Sequence, residues 1–113
     1  MSMIKQFVRN PKTHVKIGIM VAFADMNRMA IGFSALHELD EGKFDKEFGE
    51  EIAIDRAQCF SDGRYPKYVP QCIQEMLPEF SERCTRYFKN YSIPHWVEIL
   101  VDRIEDEGIH NEH

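Results

Sequence analysis

Hydrophobic residues change their period once between His14 and Phe60. Val15, Ile17, Ile19, Val21 and Phe23 occupy alternate positions, with Lys16, Gly18, Met20 and Ala22 between them. A second run, Met29, Ile31, Phe33 and Ala35, alternates with Ala30, Gly32, Ser34 and Leu36. Period two is the signature of a strand, because successive side chains point to opposite faces. Asp25-Met26-Asn27-Arg28 separates the runs, and Asn27 is the residue expected to take the left-handed conformation of a tight reversal. The alternation predicts a β-hairpin with one strongly apolar face and one face of small residues. From Phe44 the spacing becomes helical. Phe44, Phe48 and Ile52 form a bulky stripe, and Gly49, Ala53 and Ala57 form an adjacent small stripe. This predicts a helix over 44–60 whose small stripe lies close to the sheet while the bulky stripe fills the flank. Asp45 and Glu47 fall where the helix dipole favours negative charge.

The flanking segments extend the picture. Met3 to Val8 fits a short strand, and Arg9-Asn10-Pro11 reads as a turn. A lone two-stranded hairpin is marginal in water, so either this lead strand or a partner chain is expected to complete the sheet. Ser61 to Lys67 reads as a loop punctuated by Asp62-Gly63 and Pro66. From Pro70 an apolar stripe runs through Val69, Ile73, Met76, Leu77, Phe80, Cys84, Tyr87, Phe88 and Tyr91, interrupted by Pro78. Proline lacks an amide donor, so a kink or a break is expected near Met76-Leu77. A last helix opens at Pro94, with Val97, Leu100, Val101 and Ile104 as its buried face, Trp96 at the margin and Gly108 at its end. The expected fold class is α+β: a single domain, 1–113, with an N-terminal antiparallel β-hairpin or three-stranded sheet packed on one face against three to four α-helices.

Composition narrows the class. The chain has 113 residues, 43% apolar and 29% charged, which fits a soluble globular domain. No apolar run approaches the roughly 20 residues a membrane span needs. No signal peptide is recognised, so the cytoplasm is the expected compartment, that of a host cell if the protein is viral. The net charge of −5 divides unevenly. Up to Leu36 the chain carries Lys5, Arg9, Lys12, Lys16 and Arg28 against Asp25, whereas acids outnumber bases from His37 onward. A dedicated nucleic-acid binder is usually basic throughout. Cys59, Cys72 and Cys84 have no paired spacing and read as structural thiols, with burial expected for Cys59.

Motifs for known chemistries are missing. His37, Glu38 and Asp40, or His110 and His113, do not make a zinc pattern. The six glycines draw no phosphate-loop or dinucleotide spacing, and Ser34 lacks the flanking glycines of a nucleophile elbow. No cofactor, metal or catalytic residue is assigned. Two candidate binding groups remain. Arg64, Tyr65 and Lys67 gather basic and aromatic side chains on one loop, which suits a phosphate-bearing ligand or a protein surface. Arg56, with Lys43 and Lys46, forms a second candidate anion site. Ordinary exposed loops and weak surface ion pairs are the competing structural readings of both groups.

The run Ile31-Gly32-Phe33-Ser34, then Asp40, Lys43-Phe44-Asp45-Lys46, Gly49, Ile52-Ala53 and Arg56-Ala57, resembles a pattern in small phage and prophage proteins. The likeness covers under a third of the chain, and Asp55 stands where that pattern carries a small residue. It implies a bacterial virus or prophage as origin. The resulting expectation is a non-enzymatic accessory or host-takeover factor, such as an inhibitor of a bacterial defence system, acting on a host protein or sequestering a small anionic ligand, with a homodimer as a candidate assembly. A nucleic-acid accessory role for the basic N-terminal segment, and a small hydrolase with an unrecognised site, are the alternatives.

Overall fold

The computed structural model describes residues 2–36, 44–60 and 64–105, together with the backbone of 61 and 106–111. Three strands, β1 (Met3–Arg9), β2 (Lys16–Asp25) and β3 (Arg28–Ala35), precede three helices, α1 (Lys46–Ser61), α2 (Gln71–Tyr87) and α3 (His95–Asn111). The strands form one antiparallel sheet in the order β1-β2-β3, so the fold is α+β as the periodicities require. The lead strand supplies the third member, and the sheet reaches three strands without a partner chain.

The hairpin turn decides which residues share a face. Asp25 pairs with Arg28, leaving Met26 and Asn27 as a two-residue loop. Met26, not Asn27, takes the positive φ of 56°. In this register Ile19, Val21 and Phe23 of β2 lie beside Ser34, Gly32 and Ala30 of β3. Met29, Ile31 and Phe33 lie beside Ala24, Ala22 and Met20. Each strand's bulky row thus neighbours its partner's smaller row, and both faces of the sheet are apolar. The expectation of one apolar face roofed by all the helices is corrected accordingly: α1 covers one face, and α2 with α3 covers the other.

Small residues bring α1 very close to its face. Ala53 and Ala57 are fully buried against Ile19, Val21, Phe23 and Ala30. Gly32 lies directly beneath them: a Cβ there would overlap the Ala53 carbonyl oxygen and sit 2.6 Å from the Ala57 nitrogen. Asp45 caps the helix, its carboxylate accepting the Phe48 N–H at 3.1 Å. The bulky stripe behaves differently from its prediction. Phe44 precedes the helix and lays its ring on Gly49, the arrangement of a hydrophobic staple. Phe48 is exposed, because it points away from the face on which Ala53 and Ala57 meet the sheet.

The opposite face takes the larger core. Ile73, Leu77, Phe80 and Cys84 of α2 and Trp96 and Val97 of α3 pack on Ile4, Val8, Met20, Ala22, Met29, Ile31 and Phe33. Full burial of a side chain such as Phe80 is worth roughly 1.5–3 kcal/mol. Helix α2 runs unbroken through Pro78. Ile73 and Leu77 before the proline and Phe80 and Cys84 after it bury against the same core, so of the kink and the break expected there, the break does not occur. The helix ends before the stripe does: α2 stops at Tyr87, itself exposed, the Phe88 N–H closes the turn on the Cys84 carbonyl at 2.8 Å, and Phe88 and Tyr91 still pack on the core. Trp96 is buried rather than marginal, wedged against Phe33 and Phe60 with ring centroids 5.9 and 5.5 Å away. The α3 backbone continues past Gly108 to Asn111.

Arginines from two helices close the sheet edges. The Leu36 N–H donates to the Ile17 carbonyl at 2.8 Å. Antiparallel bonding recurs at every second residue, so the amides of Met29, Ile31, Phe33 and Ala35 point outward from β3. Arg56 of α1 donates to the Phe33 carbonyl at 3.2 Å. On the other edge, Arg83 of α2 donates to the Lys5 carbonyl at 3.3 Å. Both cap carbonyls that an edge strand otherwise leaves open.

Candidate functional site

A cavity of about 1030 Å³ lies between the second half of α1, the 64–70 segment, the first turns of α2 and the adjoining ends of β2 and β3. This is at the upper end of the roughly 300–1,000 Å³ typical of small-molecule sites. Its deeper wall is apolar: Phe33 is buried, and Ile17, Leu36 and Phe60 are half-buried. Ile17 is there because of a β-bulge. Val8 pairs with Gly18 and Arg9 with Lys16, so Ile17 is skipped in the ladder. Strand alternation alone would send Ile17 to the α1 side with Ile19. The bulge instead lets it join the α2–α3 cluster, and re-aiming a side chain is what bulges commonly do.

The rim is basic and aromatic. Arg56 comes from α1, and Arg64, Tyr65, Lys67 and Tyr68 come from the segment between α1 and α2. All five side chains are exposed. Two residue groups that the sequence presents separately, Arg56 on a helix and Arg64-Tyr65-Lys67 on a loop, therefore meet at one cleft. Arg56, Arg64 and Lys67 have no acidic partner among the described residues. Arg56 is held from below: besides its bond to the Phe33 carbonyl, its guanidinium lies 5.6 Å from the centre of the Phe33 ring. Glu75 is the one carboxylate among the described lining residues, and it accepts from the Gln71 side chain at 3.3 Å. A low-dielectric cleft lined mostly by one sign of charge concentrates the opposite sign.

The remaining candidates lie elsewhere. Lys46 begins α1 outside the cleft and faces Lys16, whose own ammonium rests over the Phe7 ring at 4.1 Å. The Lys16 pKa is held below the ordinary lysine value by loss of hydration first, then by Lys46 and by Arg9. Lys43 lies outside the described residues, as do His37, Glu38, Asp40 and the side chains of His110 and His113.

Three lining residues had no functional signal in the sequence. Cys59 and Cys72 both border the cavity, from the last turn of α1 and the first turn of α2. Cys59 is exposed, which corrects its expected burial, because it sits on the outer side of α1 from Ala53 and Ala57. None of the three cysteines is in a disulfide. Cys84 is buried, and burial pushes its thiol up to about 12. Glu75 could not be told from any other surface acid until α2 turned it to the cleft. Behind the cavity wall, Trp96 touches both Phe33 and Phe60, and its buried indole N–H has no acceptor among the described residues.

Arg9 and Lys16 are neighbours across β1 and β2, but the basic N-terminal residues as a set do not gather into one surface. Lys5 pairs with Glu50 at 2.9 Å, and Arg9 donates to the His14 carbonyl at 3.0 Å. Arg28 lies at the opposite end of the hairpin from Lys16, about 30 Å away along β2 at the rise of a strand. No described helix is long and apolar enough to cross a membrane. No protein-family model matches the chain, nor does any curated protein or any solved structure.

Proposed function

We propose that this protein binds a small organic anion in the cleft between α1 and α2 and holds it without transforming it. In the phage or prophage setting that the sequence resembles, this is the action of an accessory factor that sequesters a host metabolite or signal, as an inhibitor of a bacterial defence system does. One observation carries the reading. Arg56, Arg64 and Lys67, separated in sequence and lacking acidic partners among the described residues, border the same apolar-walled cavity. Cations left unpaired at a structural surface cost little, but three converging on a concave apolar site form a ready receptor for an anion with an apolar body. The N-terminal bases support the nucleic-acid alternative less well, since they spread along both ends and one face of the sheet.

Native mass spectrometry of the gently purified protein tests the reading. The expected result is a bound organic anion of one mass, released by denaturation and missing from an Arg64→Glu/Lys67→Glu double variant that keeps the wild-type circular dichroism. An empty wild-type protein that also fails to take up any organic anion in equilibrium dialysis contradicts it.

A further inference from the structure

We infer that the bound anion is a nucleoside phosphate, with its phosphate at the arginines and its base against the aromatic wall. The inference rests on the cleft being the binding site and adds the chemistry of the occupant. The cavity, at about 1030 Å³, is far larger than an inorganic anion needs. Its cations include two guanidiniums, whose planar forks match phosphate oxygens bidentately. Arg56 is already oriented by the Phe33 carbonyl, so part of its ordering precedes binding. Aromatic rings line the cleft where they can be reached, Phe60 half-buried in the wall and Tyr65 and Tyr68 exposed at the rim, and offer faces on which a planar base stacks.

Glu75 distinguishes this ligand from a featureless polyanion. An ionised carboxylate accepts hydrogen bonds and cannot donate them. On α2, facing a cleft that also receives two arginines and a lysine from α1 and the 64–70 segment, it repels an anion that is negative all over. It favours a molecule whose far end presents N–H donors. A base with an exocyclic amine has that polarity: phosphate at one end, a flat apolar ring in the middle and a donor at the other. The same chemistry occurs in a free nucleotide and at the phosphorylated end of a strand.

Titration of the full chain, followed by Trp96 emission and by calorimetry, tests the inference. Trp96 is the sole tryptophan and touches two residues of the cavity wall. The probes are adenosine monophosphate, uridine monophosphate, ribose 5-phosphate, inorganic phosphate, naphthoate and a 5′-phosphorylated trinucleotide. Adenosine monophosphate is expected to bind at least about tenfold tighter than ribose 5-phosphate, through base stacking. It is expected to bind more tightly than uridine monophosphate, whose base has a smaller stacking face and offers one ring N–H in place of an exocyclic amine. Glu75→Gln is expected to narrow that preference by weakening adenosine monophosphate relative to uridine monophosphate. The trinucleotide assigns the source: tighter binding than the mononucleotide points to a strand end, equal or weaker binding to a free nucleotide. Equal affinity for both mononucleotides and ribose 5-phosphate, or a base preference unmoved by Glu75→Gln, overturns the inference. Binding of naphthoate in an Arg64-dependent manner without any nucleotide binding overturns it too while leaving the cleft reading in place. Failure of every anion to bind removes both.

Discussion

The Arg56 guanidinium donates to the Phe33 carbonyl at 3.2 Å and lies over the ring of the same residue. One side chain thus closes the β3 edge, pins α1 to the sheet and presents charge to the cavity. Arg83 makes the corresponding bond to the Lys5 carbonyl on the β1 edge, away from the cavity. Arg56→Lys keeps the charge but loses the planar fork, and it should cost about 0.5–1.5 kcal/mol in denaturant unfolding. Anion affinity should fall in the same variant. Arg83→Ala should cost a comparable amount of stability and leave anion binding as in the wild type.

Gly32 and Gly49 are both buried and should respond to alanine by very different amounts. At Gly32 the added methyl meets helix backbone, the Ala53 carbonyl and the Ala57 nitrogen, which cannot move without lifting α1. Gly32→Ala should destabilise by about 3 kcal/mol, at the upper end for overpacked cores. At Gly49 the obstacle is the Phe44 ring, a side chain ahead of the helix that can swing aside. Alanine is there the better helix former by about 1 kcal/mol, so Gly49→Ala should stay within about 1 kcal/mol of wild type. Chemical denaturation of the two variants measures the contrast.

Thiol reactivity should follow exposure. Cys59 is exposed, Cys72 half-buried and Cys84 buried with its thiol pushed up to about 12. Alkylation near neutral pH, read by peptide mass spectrometry, should label Cys59 first, Cys72 more slowly and Cys84 only after unfolding. Because Cys59 and Cys72 line the cavity and Cys84 does not, a bound ligand should slow the first two and leave the third unaffected.

Cys84 also gives a pH dependence of known sign. In the unfolded chain its thiol ionises near the ordinary 9.0, whereas in the fold it keeps its proton up to about 12. The stability it contributes is therefore complete below pH 9.0 and declines as pH rises from there toward 12. The slope is about 1.4 kcal/mol per pH unit at its steepest. Unfolding free energies of wild type and Cys84→Ala, compared through the start of this window, should show the steeper alkaline loss in the wild type.

Much of this fold was written in two periodicities, and the exceptions have local causes. The strands, α1 with its small stripe, and the helix starts near Pro70 and Pro94 follow from spacing and caps. The sharing of residues between the sheet faces depended on one pairing, Asp25 with Arg28, and a two-residue loop reverses the face assignment that a loop one residue longer would give. Phe48 and Trp96 were misplaced because apolar spacing shows which residues favour burial, not which neighbours are large enough to bury them. At the candidate site, residue types were legible before their assembly was. Arg56 and the Arg64-Tyr65-Lys67 loop stood out as separate basic groups, but their convergence depends on the α1–α2 crossing and on a bulge at Ile17 that no residue type announces. Glu75, Cys59 and Cys72 carried no signal, since single acids and thiols on helices are ordinary.

The central claim is that an anion is received at the α1–α2 cleft and not along the basic N-terminal strands. Backbone amide NMR of the full chain, titrated with adenosine monophosphate and with naphthoate, tests it most directly. Saturable shifts confined to Cys59 and Phe60, the 64–68 segment and the first turn of α2, lost in Arg64→Glu/Lys67→Glu, are the predicted result. Shifts centred on Arg9, Lys12, Lys16 and Lys46, or a spectrum unchanged by either anion, would contradict it.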